Sequence, residues 1–345
     1  MTFSSGSENK KIPEQIKDIL FGVDYVLFLR MNNQNIVEKF KDIKLFIGEK
    51  ELTGTNKEIF INFVFSSKPR IKKAIWLVLN GYAFHLGCHF FKKIFYLRSH
   101  EKRWKDINLK MNGVLINKML VKIGFDKAET IKVVCKNEPL LFPLEDKNAL
   151  YFFANELPGY LLKYNINEKD VVVDLGAYCG WFSIYASKMV GDSGKVIAFE
   201  PDSENLADFK NNLKLNNSKN IILVEKGTWN NEGEVAFEQV GEGSNISNTG
   251  KSKIKVTTLD QELRGLNIPF EDVKFIKMDI EGAELETIDG MREVLLKGKP
   301  SLAVASYHIR DGEKTHYKVE QKLKQLGYHA ETDYPEHLTT YAFKD

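Results

Sequence analysis

The chain has 345 residues, enough for one large domain or two of ordinary size. Hydrophobic residues make up 43% and charged residues 28%, which excludes a disordered or collagen-like chain. Three cysteines (Cys88, Cys135, Cys179) are too few and too scattered for a disulfide framework or a CxxC metal site, so a reducing, cytoplasmic setting is expected.

The start of the chain has no apolar segment of the kind a secretory signal needs. The net charge of +2 hides an asymmetry. Residues 1–150 hold 26 Lys and Arg against 16 Asp and Glu, a net +10, and the remainder holds 23 against 31, a net −8. The halves therefore read as different units, and only the first would be drawn to anionic partners.

Residues 1–130 are rich in Phe, Lys, Ile and Asn, carry no readable motif, and are expected to be mostly helical. Within them Ala74–Phe91 is an uncharged stretch between basic flanks, at the lower edge for a membrane span. Asn80, His85, His89 and two glycines are costly in lipid, so the expectation is a buried helix, with peripheral membrane contact through 68–110 as the most the stretch would support.

The pattern changes near residue 131. Ile131–Lys136 and Pro139–Leu144 read as strands around Asn137-Glu138. Tyr151–Tyr164 has helical spacing, with Phe152, Leu157 and Leu161 or Leu162 pointing inward. Strands and helices then alternate: strand 171–175, helix 180–189, strand 195–200, helix 203–213 and strand 221–225. A hairpin of 234–239 and 253–258 follows. Strand 273–279, helix 284–296, strand 301–307 and helix 314–326 lead to a last strand pair, 329–334 and 339–344. Continuous apolar runs such as Val171-Val172-Val173 suit parallel strands covered on both faces. The alternation predicts an α/β, doubly wound, seven-stranded sheet over 131–345.

In such sheets ligands sit beyond the carboxyl ends of the strands. The first strand ends Asp174-Leu-Gly176-Ala-Tyr178-Cys-Gly180. Asp174 can accept from an ammonium group or loop amides, and Gly176 permits a tight turn. A dinucleotide fingerprint would need glycines where Tyr178 and Trp181 stand, which disfavours a nicotinamide cofactor. The second strand ends Phe199-Glu200-Pro201, and an acid there can accept both hydroxyls of a ribose.

On these residues the sequence resembles the class I S-adenosylmethionine-dependent methyltransferases, and within them the FkbM type. The segments that carry the resemblance are 171–180, Ala198-Phe199-Glu200-Pro201-Asp202, Val256-Thr257-Thr258-Leu259-Asp260 and, most distinctive, Lys277-Met278-Asp279-Ile280-Glu281-Gly282-Ala283-Glu284. It covers 131–345. It implies a Rossmann-like sheet with an antiparallel last strand, S-adenosyl-L-methionine as cofactor, and O-methylation of a small-molecule or glycan acceptor. Gly176, Tyr178 and Gly180 would line the methionine end, Asp174 would hold its amino group, Glu200 would take the ribose with Asn205 nearby, and Lys226 to Trp229, Thr228 included, would border the adenine. After the fifth strand the run Ala305-Ser306-Tyr307-His308 lacks a glutamate that the family places there, so no role is transferred for it.

An alcohol acceptor needs a positioned base. His308 is the expected base, with Asp279 and Glu281 beside it and Asp279 orienting it or the acceptor. Glu281 and Glu284 could equally be first-turn acids offsetting a helix dipole, and Asp260 a cap on the segment entering 261–264. Glu156 could reach the site from the preceding helix. Asp279, Glu281 and His308 have the chemistry of Mg or Mn ligands, but without a fourth ligand no metal is assigned. RNA methylation on the same fold and a non-catalytic cofactor-binding module are the alternatives. No RNA-module motif is present, so no nucleic-acid partner is expected, and the strand-end acids are all retained.

Overall fold

The computed structural model describes residues 38–65, 116–117, 120–121, 125–238, 245–246, 252–310, 312–335 and 337–344. The stretch Ala74–Phe91, the 68–110 segment and most of the 241–250 loop lie outside the described residues. No helix among the described residues is long and apolar enough to cross a membrane. The chain forms two compact units, one of residues 1–41 and 52–127 and one of residues 42–51 and 128–345.

In the first unit the described residues include helix α1 (Gly54–Phe65). Phe40, Phe60 and Ile61 are buried, and the Lys57 ammonium donates to the Phe40 carbonyl at 2.5 Å.

The second unit opens with strands β1 (Lys44–Ile47) and β2 (Lys50–Leu52), where helix was expected. The reason is local and tertiary together. Leu45 and Ile47 alternate inward with period two, and β1 gains its ladder from β3 (Thr130–Cys135), far away in sequence. β3 pairs antiparallel with β4 (Glu138–Pro143) through a turn at Lys136-Asn137, one residue earlier than expected. Both turn residues are left-handed (φ 49° and 69°), the two-residue hairpin geometry that matches strand twist.

The next helical stretch also starts and ends earlier than its expected 151–164. It runs as α2 (Lys147–Tyr151), a π-helical turn (Phe152–Glu156) and α3 (Leu157–Tyr160). Phe152 and Leu157 are buried as expected, but the chain has left the helix before Leu162, which is exposed.

The main sheet has seven strands: β5 (Val171–Leu175), β6 (Lys195–Phe199), β7 (Ile221–Val224), β12 (Val273–Met278), β13 (Ser301–Ala305), β16 (His329–Asp333) and β17 (Thr339–Phe343). Their order across the sheet is β16-β17-β13-β12-β5-β6-β7. Five are parallel neighbours, and β17 runs antiparallel to both β13 and β16, the sheet expected from the sequence. Helices α4 (Trp181–Val190), α5 (Ser203–Asn216) and α6 (Leu259–Gly265) join the core. A smaller sheet combines β8 (Gly227–Thr228), β9 (Gly233–Glu238), β10 (Asn245–Ile246) and β11 (Ser252–Thr257), in the order β10-β9-β11-β8. A short antiparallel pair, β14 (Ile309–Arg310) with β15 (Glu313–Lys314), follows β13. Val173, Leu175, Ile197, Ile276, Met278, Leu302 and Val304 pack with Leu263, Ile288, Leu295 and Leu323 in one buried cluster. Each such side chain contributes about 1.5–3 kcal/mol, which makes the strand ends a rigid platform.

The helix expected over 284–296 is two helices, α7 (Glu284–Gly290) and α8 (Arg292–Lys297), and the chain ends its helical layer with α9 (His316–Gln325). The two helices meet at Met291, just after a tightly packed glycine. A Cβ on Gly290 would stand 1.9 Å from the Trp229 carbonyl oxygen, so glycine lets α7 press against the segment after β8. Gly290→Ala, which propensity alone would favour by about 1 kcal/mol, is therefore expected to destabilise the protein by about 2–4 kcal/mol. Urea denaturation checks this, and an unchanged or raised midpoint would contradict it.

Candidate active site

Parallel register aligns Leu175 with both Phe199 and Met278, and Met278 with Val304. The segments after β5, β6, β12 and β13 therefore leave the sheet on one edge. They carry Gly176, Tyr178, Gly180, Glu200, Asn205, Asp279, Glu281, Glu284 and His308, and Asp174 stands within β5 one residue before its end.

After β5, Gly176 and Gly180 are both left-handed (φ 78° and 83°). Their missing side chains leave room for neighbouring protein atoms. A Cβ on Gly176 would lie 1.8 Å from the Asp279 carbonyl oxygen, and one on Gly180 would lie 2.1 Å from the Phe209 ring. Tyr178, between them, is also left-handed (φ 52°), and its ring meets Trp181 edge-on at 4.9 Å. Its amide donates to Glu200 Oε2 at 2.8 Å. The other Glu200 oxygen accepts from the Asp202 amide and from Asn205 Nδ2. Burial nonetheless pushes the Glu200 carboxyl up to about 7 against those donors. Asn205 Oδ1, buried beside it, has no hydrogen-bond partner.

Asp174 is fully buried. Ser183 donates to Oδ2 at 2.6 Å, and the Lys277 ammonium lies 3.0 Å from Oδ1. Both carboxylate oxygens thus face protein cations or donors, and the expected hold on a ligand amine, directly or through water, would have to share them. Lys277 also donates to the Gly176 carbonyl at 2.7 Å. Burial works against its charge, but Asp174 and Asp279 outweigh it and keep the ammonium protonated.

After β12, Asp279 is held from two sides. Tyr160 donates to Oδ2 at 2.7 Å, and His337 Nε2 lies 3.3 Å from the Tyr160 hydroxyl. Burial pulls the His337 imidazole down to about 4, so it is neutral. Its Nδ1 contacts the Thr339 hydroxyl, which leaves Nε2–H to donate to Tyr160. The π-helical turn sets this up, because an extra residue in one turn rotates everything after it by about 100°.

His308 follows β13 and is 7% exposed. Its Nε2 lies 3.3 Å from Asp279 Oδ1 and 3.3 Å from Glu281 Oε2, and its Nδ1 lies 2.9 Å from Glu284 Oε1. Burial opposes its charge, but the three acids outweigh it and hold the imidazole well above its ordinary range. Three acids around one imidazole favour its charged form, and His308 could serve as the expected base only after giving up that proton. Burial likewise opposes ionisation of Asp279, yet His308 and Lys277 hold it well below the usual carboxylate range. Glu281 is the most open member, with 30% of its side chain exposed, and burial raises its carboxyl. It precedes α7 in a left-handed conformation (φ 54°) and is not a first-turn acid. Glu284 does stand in the first turn, but it is fully buried under the imidazole rather than solvated at a dipole.

Thr228 serves the packing of the fold, since Thr287 donates to its carbonyl at 3.0 Å and docks α7 on β8. Asp260 does not cap its own helix, which Thr258 caps. It accepts the Glu293 and Val294 amides at 2.8 and 2.9 Å and caps α8. Arg310 forms a two-pronged ion pair with Glu286. Glu156 acts on Tyr160 and Lys277 through its charge. Lys277, Tyr160 and His337 join the site without any role expected from the sequence. Lys277 was the detectable one, a lysine in the apolar run Phe275-Ile276-Lys277-Met278.

A doubly wound sheet in the order 3-2-1-4-5-7-6, with acids at the ends of its first, second and fourth strands, defines a class I methyltransferase-type protein. Residues 174–330 match the methyltransferase FkbM domain. A curated relative, the hexuronic acid methyltransferase AglP of Haloferax volcanii, is 28% identical over 142 residues, 39% of this chain and 55% of that protein. Among solved structures, the methyltransferase FkbM of Methylobacillus flagellatus KT is 26% identical with a TM-score of 0.38, over 53% of this chain and 45% of that one. Aeropyrum pernix fibrillarin with bound S-adenosyl-L-methionine is 13% identical with a TM-score of 0.39, over 63% and 94%. The chain thus spans about half the length of the curated relative and of the first of these structures.

The buried charges can be tested through stability. Lys277→Met leaves Asp174 buried without its cation and should cost about 3–5 kcal/mol, while Asp174→Asn with Lys277→Met should recover much of it. Denaturation of the single and double variants would show equal losses if the pair were unimportant. Glu200 has a folded-state carboxyl raised from 4.5 to about 7. Its contribution is full below pH 4.5 and is lost as pH rises through about 7, because the unfolded chain releases that proton first. Glu200→Gln should remove this part of the stability loss between pH 5 and 7.5, and parallel curves for both proteins would refute the assignment.

Proposed function

We propose that this chain is an S-adenosylmethionine-dependent O-methyltransferase whose acceptor is a sugar hydroxyl. The observation that carries the cofactor reading is the Glu200–Asn205 pair. Glu200 presents a carboxylate, and Asn205 Oδ1 is a buried acceptor still lacking a donor. A group bringing two adjacent hydroxyls, as a ribose does, supplies what this pair lacks. The Gly176–Gly180 turn, tied to Glu200 through the Tyr178 amide, fits beside it as the support for the amino-acid end. When bound, S-adenosylmethionine supplies a methyl group already activated on a sulfonium.

The protein's remaining work is alignment and removal of the acceptor proton. Asp279, Glu281 and His308 stand one loop away from the Gly176 turn and would receive the acceptor hydroxyl. Glu281, the most open of the acids, is placed to take its proton, while Glu284 and Tyr160 position His308 and Asp279. The family supports methyl transfer, and the curated relative's name, a hexuronic acid methyltransferase, supports a sugar acceptor.

Calorimetry with S-adenosylmethionine should show binding, and Glu200→Ala should weaken it by about 1–3 kcal/mol through loss of a charged acceptor. Transfer of labelled methyl should then mark uronic-acid-containing glycans. Absence of cofactor binding would overturn the whole reading, and label entering RNA alone would overturn the acceptor.

A further inference from the structure

We propose that Asp279 Oδ1, Glu281 Oε2 and His308 Nε2 form a divalent-cation site, oriented by Glu284, at which the acceptor hydroxyl is bound. The acceptor's part in this rests on the function proposed above. The cation site itself rests on geometry.

Three ligand atoms, from a strand end, a left-handed loop residue and the next strand end, lie within 4.8 Å of one another. Nε2 is 3.3 Å from each carboxylate oxygen. Two ligands at right angles on a cation with bonds of about 2.1 Å stand about 3 Å apart, so these spacings suit a shared ion.

The independent observation is the state of the buried atoms. His308 is more than nine-tenths buried and aimed between two carboxylates, yet neither of its ring nitrogens is aligned for a hydrogen bond. Asp279 Oδ1, also buried, has no hydrogen-bond partner. A salt-bridged imidazole would turn to align with one acid. An imidazole whose Nε2 points between two oxygens is placed as a third ligand to whatever satisfies all three.

The surroundings are those of a metal ligand set. Glu284, with no exposure, lies against Nδ1 at 2.9 Å. A carboxylate this near one ring nitrogen is placed to keep a proton on that side once a cation takes the other nitrogen. Tyr160 does the corresponding work for Asp279, holding Oδ2 so that Oδ1 faces His308. Charge agrees. Three carboxylates face one imidazole, while the nearest ammonium, Lys277, is paired with Asp174. Two carboxylate oxygens and one imidazole favour Mn²⁺ or Mg²⁺ over a thiolate-loving metal. Three protein ligands leave positions for water and for an acceptor hydroxyl, whose proton the cation would make easier to remove.

The test uses the full-length protein, freed of metal with EDTA and titrated with MnCl2, with free Mn²⁺ read by electron paramagnetic resonance. One Mn²⁺ per chain is expected, with nitrogen coupling from one imidazole in the spin-echo spectrum. His308→Ala and Asp279→Asn should each weaken binding at least tenfold, and His308→Ala should abolish the nitrogen coupling. Glu284→Gln should weaken binding about 10–100-fold while keeping that coupling. S-adenosylmethionine affinity, measured in parallel, should be unchanged in His308→Ala, which also shows that the variant is folded. No stoichiometric Mn²⁺, or bound Mn²⁺ without imidazole coupling in the wild type, overturns the cation site and leaves the methyltransferase reading standing. Mn²⁺ bound as expected with no S-adenosylmethionine affinity would uphold the cation site and sink that reading.

Discussion

The buried pair between Lys277 and Asp174 is the constraint on which the site depends. The two residues are register partners on adjacent central strands, and Lys277 also donates to the Gly176 carbonyl. A lysine this deep is stable only when its charge is matched and its donors are used. Here a carboxylate and a carbonyl supply the match. The consequence is mechanical: the turn after β5 is fastened to the end of β12, whose next residues are Met278 and Asp279. The Gly176 turn and the Asp279 carbonyl approach so closely that only glycine fits between them. The turn after β5 and the segment after β12 are therefore parts of one rigid edge rather than two loops that happen to be near each other.

Rigidity at that edge makes room for strain. Tyr178 and Glu281 are both in left-handed conformations without being glycine, each at a cost of order 1–3 kcal/mol. In each case the strain aims a group. Tyr178 turns its amide to Glu200, and Glu281 turns its carboxylate to His308. The π-helical turn before Tyr160 has the same character, since it sets the rotation by which the hydroxyl meets Asp279. Tyr307 lies against both His308 and His337, with ring centroids 4.2 and 4.8 Å away, and so joins the two imidazoles beside the acids.

The main sheet is readable in the sequence because its strands are continuous apolar runs with short turns, and because burial on both faces forces that pattern. The strand ends follow, so Asp174, Gly176, Glu200, Asp279 and His308 stand out from position alone. What stays hidden is set by tertiary contact. Strands Lys44–Ile47 and Lys50–Leu52 have the right alternation but no partner visible nearby. The close approach of Gly290 to the Trp229 carbonyl is likewise something that no helical pattern reveals. Glu284 looks like any acid opening a helix, and only burial distinguishes it. His308 is legible as a site residue, but its protonation depends on three carboxylates converging from two different segments, which spacing does not disclose.

The two ends of the site are chemical opposites, and this follows from what surrounds each acid. Glu200 is ringed by N–H donors, from Tyr178, Asp202 and Asn205, which stabilise a carboxylate without supplying positive charge. Such a group suits neutral hydroxyl donors. Asp279 is ringed instead by other ionisable groups, with acids on one side and an imidazole on the other. Such a group suits a cation or a moving proton. Lys277 stands between them, and its charge is spent on Asp174. It therefore steadies both sides, and its charge together with that of His308 also lowers the Asp279 carboxyl.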